Sequence, residues 1–163
     1  MNKKVLFLSH AAVIAAAYIV LTFLANALGL ASGVIQIRFS EGLTILPFFT
    51  PAAIPGLFVG CLLANILTGC ALPDIIVGSV ATLLGAVFTY AFRKQKWMAP
   101  IPPIVFNAIL IPFVLYYVYN MRPLWFSFLT VTVGEILSCG VLGMLLLQAL
   151  QKYSHRLFND AYR

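Results

Sequence analysis

Six apolar segments constrain the fold of this chain more than any other feature. Among the classes of protein, they fit a membrane protein. Charged residues make up 9% of the chain, against about 25% in soluble domains, so a soluble core of this length could not bury the apolar surface. The segments also lack the alternation typical of a membrane β-barrel. We therefore predict an all-α membrane protein, one integral membrane domain over residues 1–163, with six transmembrane helices at about 5–28, 34–50, 54–70, 74–92, 100–119 and 124–150.

The second and third segments are shorter than the ~20 residues that a spanning helix needs. Pro51 and Pro55 interrupt the connection between them. The pair is compatible either with two tightly connected spans or with a re-entrant hairpin. The first segment follows Lys3 and Lys4 as a signal peptide would, but it is longer than a usual signal core. We expect it to stay in the protein as the first helix.

The basic residues indicate the orientation of the chain. With six spans, eight of them fall on one side of the membrane, and only Arg38 and Arg122 fall on the other. Cytoplasmic loops carry the excess of lysine and arginine, so both termini are predicted to be cytoplasmic. This asymmetry explains most of the net charge of +6 without a nucleic-acid partner. The eight residues are Lys3, Lys4, Arg93, Lys94, Lys96, Lys152, Arg156 and Arg163.

Glu135 lies near the middle of the last apolar segment. A carboxylate at that depth costs about 2.5–3.5 kcal/mol on insertion scales. It is either a substrate, ion or proton site, or a structural group hydrogen-bonded to a neighbouring helix. At ~1.5 Å per residue, Asn107 on the preceding segment has the same depth. We expect the two side chains to face each other.

Four further polar residues lie in or beside the apolar segments. Arg38 and Glu41 are three residues apart, which on a helix puts them on one face at the outer end of the second segment. They form either a self-neutralising ion pair or a gate or ligand clamp. Asp74 at the outer start of the fourth segment is explained by helix capping or by a role near the mouth of a site. Asn65 is a further amide in the third segment.

Small residues recur at helical spacing on the first and third segments. Residues with small side chains at i and i+4 let two helices approach closely. Such a face serves either packing within the chain or docking of another subunit. The pairs are Ala11 with Ala15, Ala12 with Ala16, and Gly56 with Gly60.

Several classes of site lack their motifs. Cys61, Cys70 and Cys139 form no CxxC pair, and His10 and His155 lie near the ends, so neither a metal site nor a disulfide framework is predicted. We interpret the cysteines as small packing residues. There is no GxxxxGK[ST] phosphate loop, so the chain cannot hydrolyse ATP by itself in that way.

Several stretches, in order along the chain, resemble the QueT family. The likeness covers about residues 5–150, with Gly42 standing where the family pattern has alanine. The stretches that carry it are QIRFSEGLTILPFFTPAAIPGLFVGCLLAN (36–65), DIIVGSVATLL (74–84), PPIVFN (102–107) and Gly134–Glu135.

The resemblance implies a function and an assembly. Members of that family are taken to be substrate-binding S components of energy-coupling factor (ECF) transporters for queuosine precursors. It therefore implies a non-enzymatic, cofactor-free, six-helix protein of the bacterial cell membrane, with both termini cytoplasmic. The implied partners are a coupling transmembrane subunit and two ABC-type ATPases. The face that meets the coupling subunit maps onto Ala11, Ala12, Ala15 and Ala16.

The implied substrate is a flat 7-deazaguanine with N–H donors along one edge. Carboxylates and amides suit that edge, so Glu135 and Asn107 are expected to read it, with Glu41, Arg38 and Asp74 near the mouth. One alternative is a stand-alone proton-coupled carrier with Glu135 as the proton site. Others are an S component for another vitamin or base, a membrane enzyme, and a structural assembly subunit.

Overall fold

The computed structural model describes residues 3–30 and 35–153, and its regular elements are all helical. The predicted all-α membrane class is confirmed. Four helical stretches are long and apolar enough to cross a membrane, namely Lys3–Ala27, Leu72–Ala91, Lys96–Tyr117 and Leu124–Gln151. The helices are α1 (Lys3–Ala27), a 3₁₀ helix (Phe39–Phe48), α2 (Ala53–Leu67), α3 (Leu72–Ala91), a short 3₁₀ turn (Lys96–Met98), α4 (Ile101–Tyr117), α5 (Leu124–Glu135), a π-helical stretch (Ile136–Leu142) and α6 (Gly143–Gln151).

The outward surface of the bundle is largely apolar, whereas many polar and charged side chains are buried. Leu8, Val13 and Leu72 are each about two-thirds exposed, while Glu41 and Asn107 are 2% and 3% exposed. This inversion of the soluble pattern is expected where lipid surrounds the helices. Two of the basic residues used for the orientation, Arg156 and Arg163, lie outside the described residues.

Helices α1 and α2 run in the same direction in close contact. A Cβ added to Gly56 would lie 2.7 Å from the carbonyl oxygen of Ala11, and one added to Gly60 would lie 3.0 Å from the Cα of Ala15. The GxxxG spacing of α2 therefore lets its backbone approach the first of the two AxxxA pairs on α1. Since both contacts advance together along the two helices, the connection between α1 and α2 has to return to the level where α1 starts. We call its described part before Phe49, residues 35–48, the returning stretch.

The returning stretch is not the α-helix that we predicted for residues 34–50. Among the described residues, Arg38 has extended backbone at the start, and only Phe39–Phe48 is helical, as a 3₁₀ helix. Ten 3₁₀ residues at ~2.0 Å rise about 20 Å. An α-helix of the same ten residues would rise only about 15 Å. The 3₁₀ winding therefore carries this short segment further per residue than an α-helix would.

The returning stretch is enclosed by the other helices. All eight residues from Ser40 to Pro47 are buried, which fits the rule that irregular backbone at membrane depth is shielded from lipid. Its extended start presses on α5, because a Cβ on Gly134 would lie 2.4 Å from the carbonyl oxygen of Gln36. Next to this contact α5 ends and the π-helical stretch Ile136–Leu142 begins.

Candidate functional site

The bundle encloses a cluster of polar side chains drawn from four elements. Glu41 comes from the 3₁₀ helix, Tyr18 from α1, Asn107 from α4 and Glu135 from the end of α5. The Tyr18 hydroxyl donates to Oε1 of Glu41, and Nδ2 of Asn107 donates to Oε2 of Glu41 over 3.5 Å. All four side chains are at most 9% exposed. The Glu41 carboxylate is therefore held on both oxygens at the centre of the cluster.

The second carboxylate lies directly beside the first. One oxygen of Glu41, one oxygen of Glu135 and the Cys139 Sγ all lie within 4.8 Å of one another. The Cys139 thiol donates to Oε2 of Glu135 over 3.1 Å. Two carboxylates this close in a site shielded from water repel each other unless a proton or a cation compensates them. Chemically, the group suits an organic cation, a metal ion or a shared proton.

The π-helical stretch after α5 positions Glu135 and Cys139 beside Glu41. Glu135 is the last residue before the π-helical stretch, and Ser138 and Cys139 belong to it. Ser138 Oγ accepts the backbone N–H of Arg38 over 3.1 Å, and the Cys139 thiol reaches the carbonyl oxygen of Glu41 over 3.4 Å. Two hydrogen bonds thus hold the π-helical stretch against the returning stretch beside the two carboxylates.

Two adjacent cavities connect this cluster to the end of the bundle. The small cavity has a volume of about 30 Å³ and is lined by Glu41, Asn107, Glu135 and Thr82, among others. The large cavity has a volume of about 530 Å³, within the range typical of small-molecule sites. Gln36, Arg38 and Ile111 line both cavities. The polar side chains that line the large cavity include Asn26, Asn65, Asp74 and Tyr119.

Hydrogen bonds position several of the residues that line the large cavity. The Tyr119 hydroxyl donates to Oδ2 of Asp74 over 3.2 Å and accepts the backbone N–H of Ala71 over 3.2 Å. Helix α2 ends in a Schellman motif, in which Gly69 has φ +74° and the Cys70 N–H donates to the carbonyl oxygen of Asn65 over 3.0 Å. This turn places Asn65 at the cavity wall opposite the start of α3.

A family model for the QueT transporter matches residues 8–152. The chain belongs to the QueT transporter family. No curated protein and no solved structure gives a match. Family membership identifies a transport protein, and the four long apolar helical stretches within residues 3–30 and 35–153 place it in the membrane.

In this QueT-family chain the six candidate site residues fall into two groups. Glu41, Asn107 and Glu135 line the small cavity, Asn65 and Asp74 line the large one, and Arg38 lines both. Asn107 and Glu135, which we expected to face each other, line the same small cavity.

Two expectations about the candidate residues were wrong in their geometry. Glu41 does not lie at the mouth but beside Glu135, because the helix that carries it begins only at Phe39. Arg38 is the N-cap residue of that helix, its carbonyl oxygen accepts the Glu41 N–H over 3.1 Å, and both side chains line the small cavity. Arg38 Nη2 donates to Oε1 of Gln36 over 3.4 Å. Asp74 does not cap α3, since the N-cap residue is Ala71.

Sequence reasoning missed three residues of the cluster. Tyr18 lies inside the first apolar segment, and the one signal for it was a hydroxyl that must find a partner when buried. Cys61 and Cys139 were interpreted as packing residues, yet both thiols take part in the polar network. The Thr82 hydroxyl donates to Cys61 Sγ over 3.4 Å, and Cys139 contacts both carboxylate-bearing residues.

The small-residue face of α1 divides into two sides. Ala11 and Ala15 lie against Gly56 and Gly60 of α2, so that pair serves packing within the chain. Ala12 and Ala16 are exposed. Of the four alanines proposed for partner contact, these two face outward.

Proposed function

We propose that this chain is the substrate-binding S component of an ECF-type transporter and that it binds a queuosine precursor with a 7-deazaguanine base. The observation that carries the proposal is the carboxylate–amide cluster of Glu41, Asn107 and Glu135 next to a cavity of about 530 Å³, in a chain of the QueT transporter family. This cavity volume suits a bicyclic base with a short substituent.

The walls of the two cavities match the chemistry of such a base. Its ring N–H and amino groups are donors, and carboxylates accept them in charge-assisted hydrogen bonds worth about 1.5–3 kcal/mol each. The amides of Asn65 and Asn107 can donate to the carbonyl oxygen of the ring and accept from its N–H groups. Ile111 and Leu115 offer apolar surface to the ring face. Binding requires no covalent step, so the protein acts as a receptor and not as an enzyme.

The energy for import comes from partners in this proposal. The sequence has no phosphate loop for ATP, which fits a subunit that depends on two ABC-type ATPases and a coupling transmembrane subunit. The exposed side of α1 with Ala12 and Ala16 is the proposed docking face, because small side chains let a second helix approach closely. With both termini in the cytoplasm, the large cavity opens to the outside.

Ligand titration and uptake test the proposal together. Purified protein should bind 7-deazaguanine bases and show no binding of thiamine or biotin by isothermal titration. Cells should accumulate the base only when the coupling subunit and both ATPases are present. Accumulation without these partners that stops when the proton gradient is dissipated would instead identify a proton-coupled carrier.

A further inference from the structure

We propose that the loop between α3 and α4 binds the headgroup of an anionic phospholipid, whose acyl chain lies along exposed phenylalanine side chains of α3. The loop comprises residues 92–97, and we call it the basic loop. This inference concerns a surface away from the two cavities and does not depend on the identity of the substrate.

Positive charge is concentrated in the basic loop. Arg93, Lys94 and Lys96 fall within four consecutive positions, and all three side chains are exposed. The sequence has no acidic residue between Asp74 and Glu135, and these two line the cavities. Asp74 lies at the opposite end of α3 from the loop, about 25 Å away at ~1.5 Å per residue. The loop therefore presents its charge without a carboxylate from its own part of the chain.

Hydrogen bonds fix the backbone of the basic loop. The buried Thr89 hydroxyl near the end of α3 donates to the carbonyl oxygen of Ala99 over 2.9 Å. Between these residues, the Gln95 N–H donates to the carbonyl oxygen of Phe92 over 3.0 Å, and the Met98 N–H donates to that of Gln95 over 3.0 Å. A ligand that binds side chains on a fixed backbone does not have to order that backbone, which lowers the cost of binding.

An apolar strip leads from the basic loop along α3. Phe88 and Phe92 are one helical turn apart and both exposed, and their ring centroids are 6.2 Å apart. Phe106 of α4 continues the strip, with its ring centroid 5.3 Å from that of Phe88. Trp97 in the loop is 68% exposed, as is typical of tryptophan at a membrane–water interface. Apolar contact is therefore offered directly beside the basic side chains.

Aromatic rings hold two of the basic side chains at this place. The guanidinium carbon of Arg93 lies 4.2 Å from the ring centroid of Tyr90, and the Lys96 Nζ lies 5.4 Å from the ring centroid of Trp97. Such cation–π contacts stabilise the position of both cations. The oxygens of a phosphate accept paired hydrogen bonds from a guanidinium and attract an ammonium as a point charge.

The combination of charge and apolar surface selects the occupant. An anionic phospholipid carries a phosphate and acyl chains in one molecule, so it can contact the basic side chains and the phenylalanines together. Free phosphate or an acidic protein segment would match the charges alone. Basic clusters beside membrane helices attract anionic lipids of the cytoplasmic leaflet, and the excess of basic residues predicts that this loop faces the cytoplasm.

Quenching of Trp97 fluorescence by brominated lipids tests the assignment at the loop itself. The chain has two tryptophans, so Trp125→Phe in the full-length protein leaves Trp97 as the reporter. In phosphatidylcholine bilayers, brominated phosphatidylglycerol should bind near this reporter at least about threefold more tightly than brominated phosphatidylcholine. The preference should fall as ionic strength rises, because salt screens exposed charges.

Removing the charges of the basic loop should remove the preference. Arg93→Gln with Lys94→Gln and Lys96→Gln should bring the two lipids to about equal binding, and Lys94→Gln alone should reduce the preference in part. Because all three side chains are exposed, these variants should remain folded, which thermal unfolding checks.

Two controls separate the loop from the rest of the protein. Lys3→Gln with Lys4→Gln and Lys152→Gln removes three charges elsewhere on the same predicted side and should leave the preference at Trp97 intact. In a Trp97→Phe background, Trp125 becomes the reporter and should show a smaller preference. Arg122 is the one basic residue in the sequence between Lys96 and Lys152, so Trp125 lies near a single basic residue.

Four outcomes overturn the inference. Equal quenching of Trp97 by both lipids shows that the loop does not select an anionic lipid. An equal loss in the control triple variant shows that overall charge, and not the loop, attracts the lipid. If inorganic phosphate removes the preference where chloride of the same ionic strength does not, the loop binds free phosphate. A loop triple variant that keeps the preference but no longer co-purifies with partner subunits identifies the loop as a protein-docking surface.

Discussion

The Tyr18 hydroxyl on α1 donates a hydrogen bond to the Glu41 carboxylate on the returning segment, 23 residues further along the chain. Both side chains are 2% exposed. This bond joins the helix proposed to meet the coupling subunit to the cavity proposed to hold the substrate. Tyr18 contacts Glu41 rather than the cavity, so it is a positioning residue.

Tyr18→Phe should weaken both folding and ligand binding. A buried carboxylate that loses one donor costs about 1–3 kcal/mol, which thermal unfolding in detergent measures, and Glu41 is then less well oriented for the ligand. Tyr117→Phe is the control, because Tyr117 is 74% exposed and its hydroxyl should contribute little. Equal stability of the two variants would show that the Tyr18–Glu41 bond contributes nothing.

Glu135→Gln should weaken binding of the substrate by roughly 1.5–3 kcal/mol, the range of a charge-assisted hydrogen bond. The free protein should be at least as stable, since the change removes repulsion between two buried carboxylates. Asn107→Ala should also weaken binding, and the two effects should not add, because both residues line the small cavity. Titration of the single and double variants decides this. Unchanged affinity with lower thermal stability in Glu135→Gln would indicate a structural role.

Gly134→Ala should destabilise the protein by about 1–3 kcal/mol, the usual cost of overpacking. The added methyl group would lie 2.4 Å from the backbone oxygen of Gln36, so the returning segment would have to move and ligand binding should suffer. Gly140→Ala is the matched control on the same helix, where the nearest atom would be 3.7 Å away. A loss of equal size in both variants would mean that helix winding, and not this contact, is responsible.

Leucine substitutions on the two sides of α1 should have opposite effects. Ala12→Leu with Ala16→Leu should leave folding and ligand binding intact but prevent co-purification with the coupling subunit, because both residues are exposed. Ala11→Leu with Ala15→Leu should destabilise the isolated protein, because these residues lie against Gly56 and Gly60. Normal complex formation by the first double variant would exclude this face as the docking site.

Cysteine labelling in intact cells should show the orientation of the chain. A cysteine introduced beside Arg122 should react with a membrane-impermeant reagent, whereas one beside Lys94 should not, because the side with the excess of basic residues is predicted to face the cytoplasm. A Cys70→Ser background removes the native cysteine that is partly exposed. Equal labelling of both positions would contradict six crossings with cytoplasmic termini.

Much of the architecture followed from local physics. Long apolar runs with few charges specify membrane helices whatever their neighbours are, because backbone groups in lipid must be satisfied within the helix. The constant rise of an α-helix predicted one depth for Asn107 and Glu135, and the two residues line one small cavity. The close approach at Gly56 and Gly60 followed from their spacing, although their partner, Ala11 with Ala15 inside the same chain, did not.

The position of Glu41 could not be predicted from the sequence alone. The sequence determined the membrane class and the long apolar helices, since both depend on residues close together in the chain. Only the tertiary structure decided that the segment before Glu41 is extended and then 3₁₀-helical, which moves this carboxylate from the mouth to a place beside Glu135. The reason is that burial between helices, and not local propensity, selects this backbone. The same holds for Tyr18, whose hydroxyl finds its acceptor only when α1 and the returning segment are packed together.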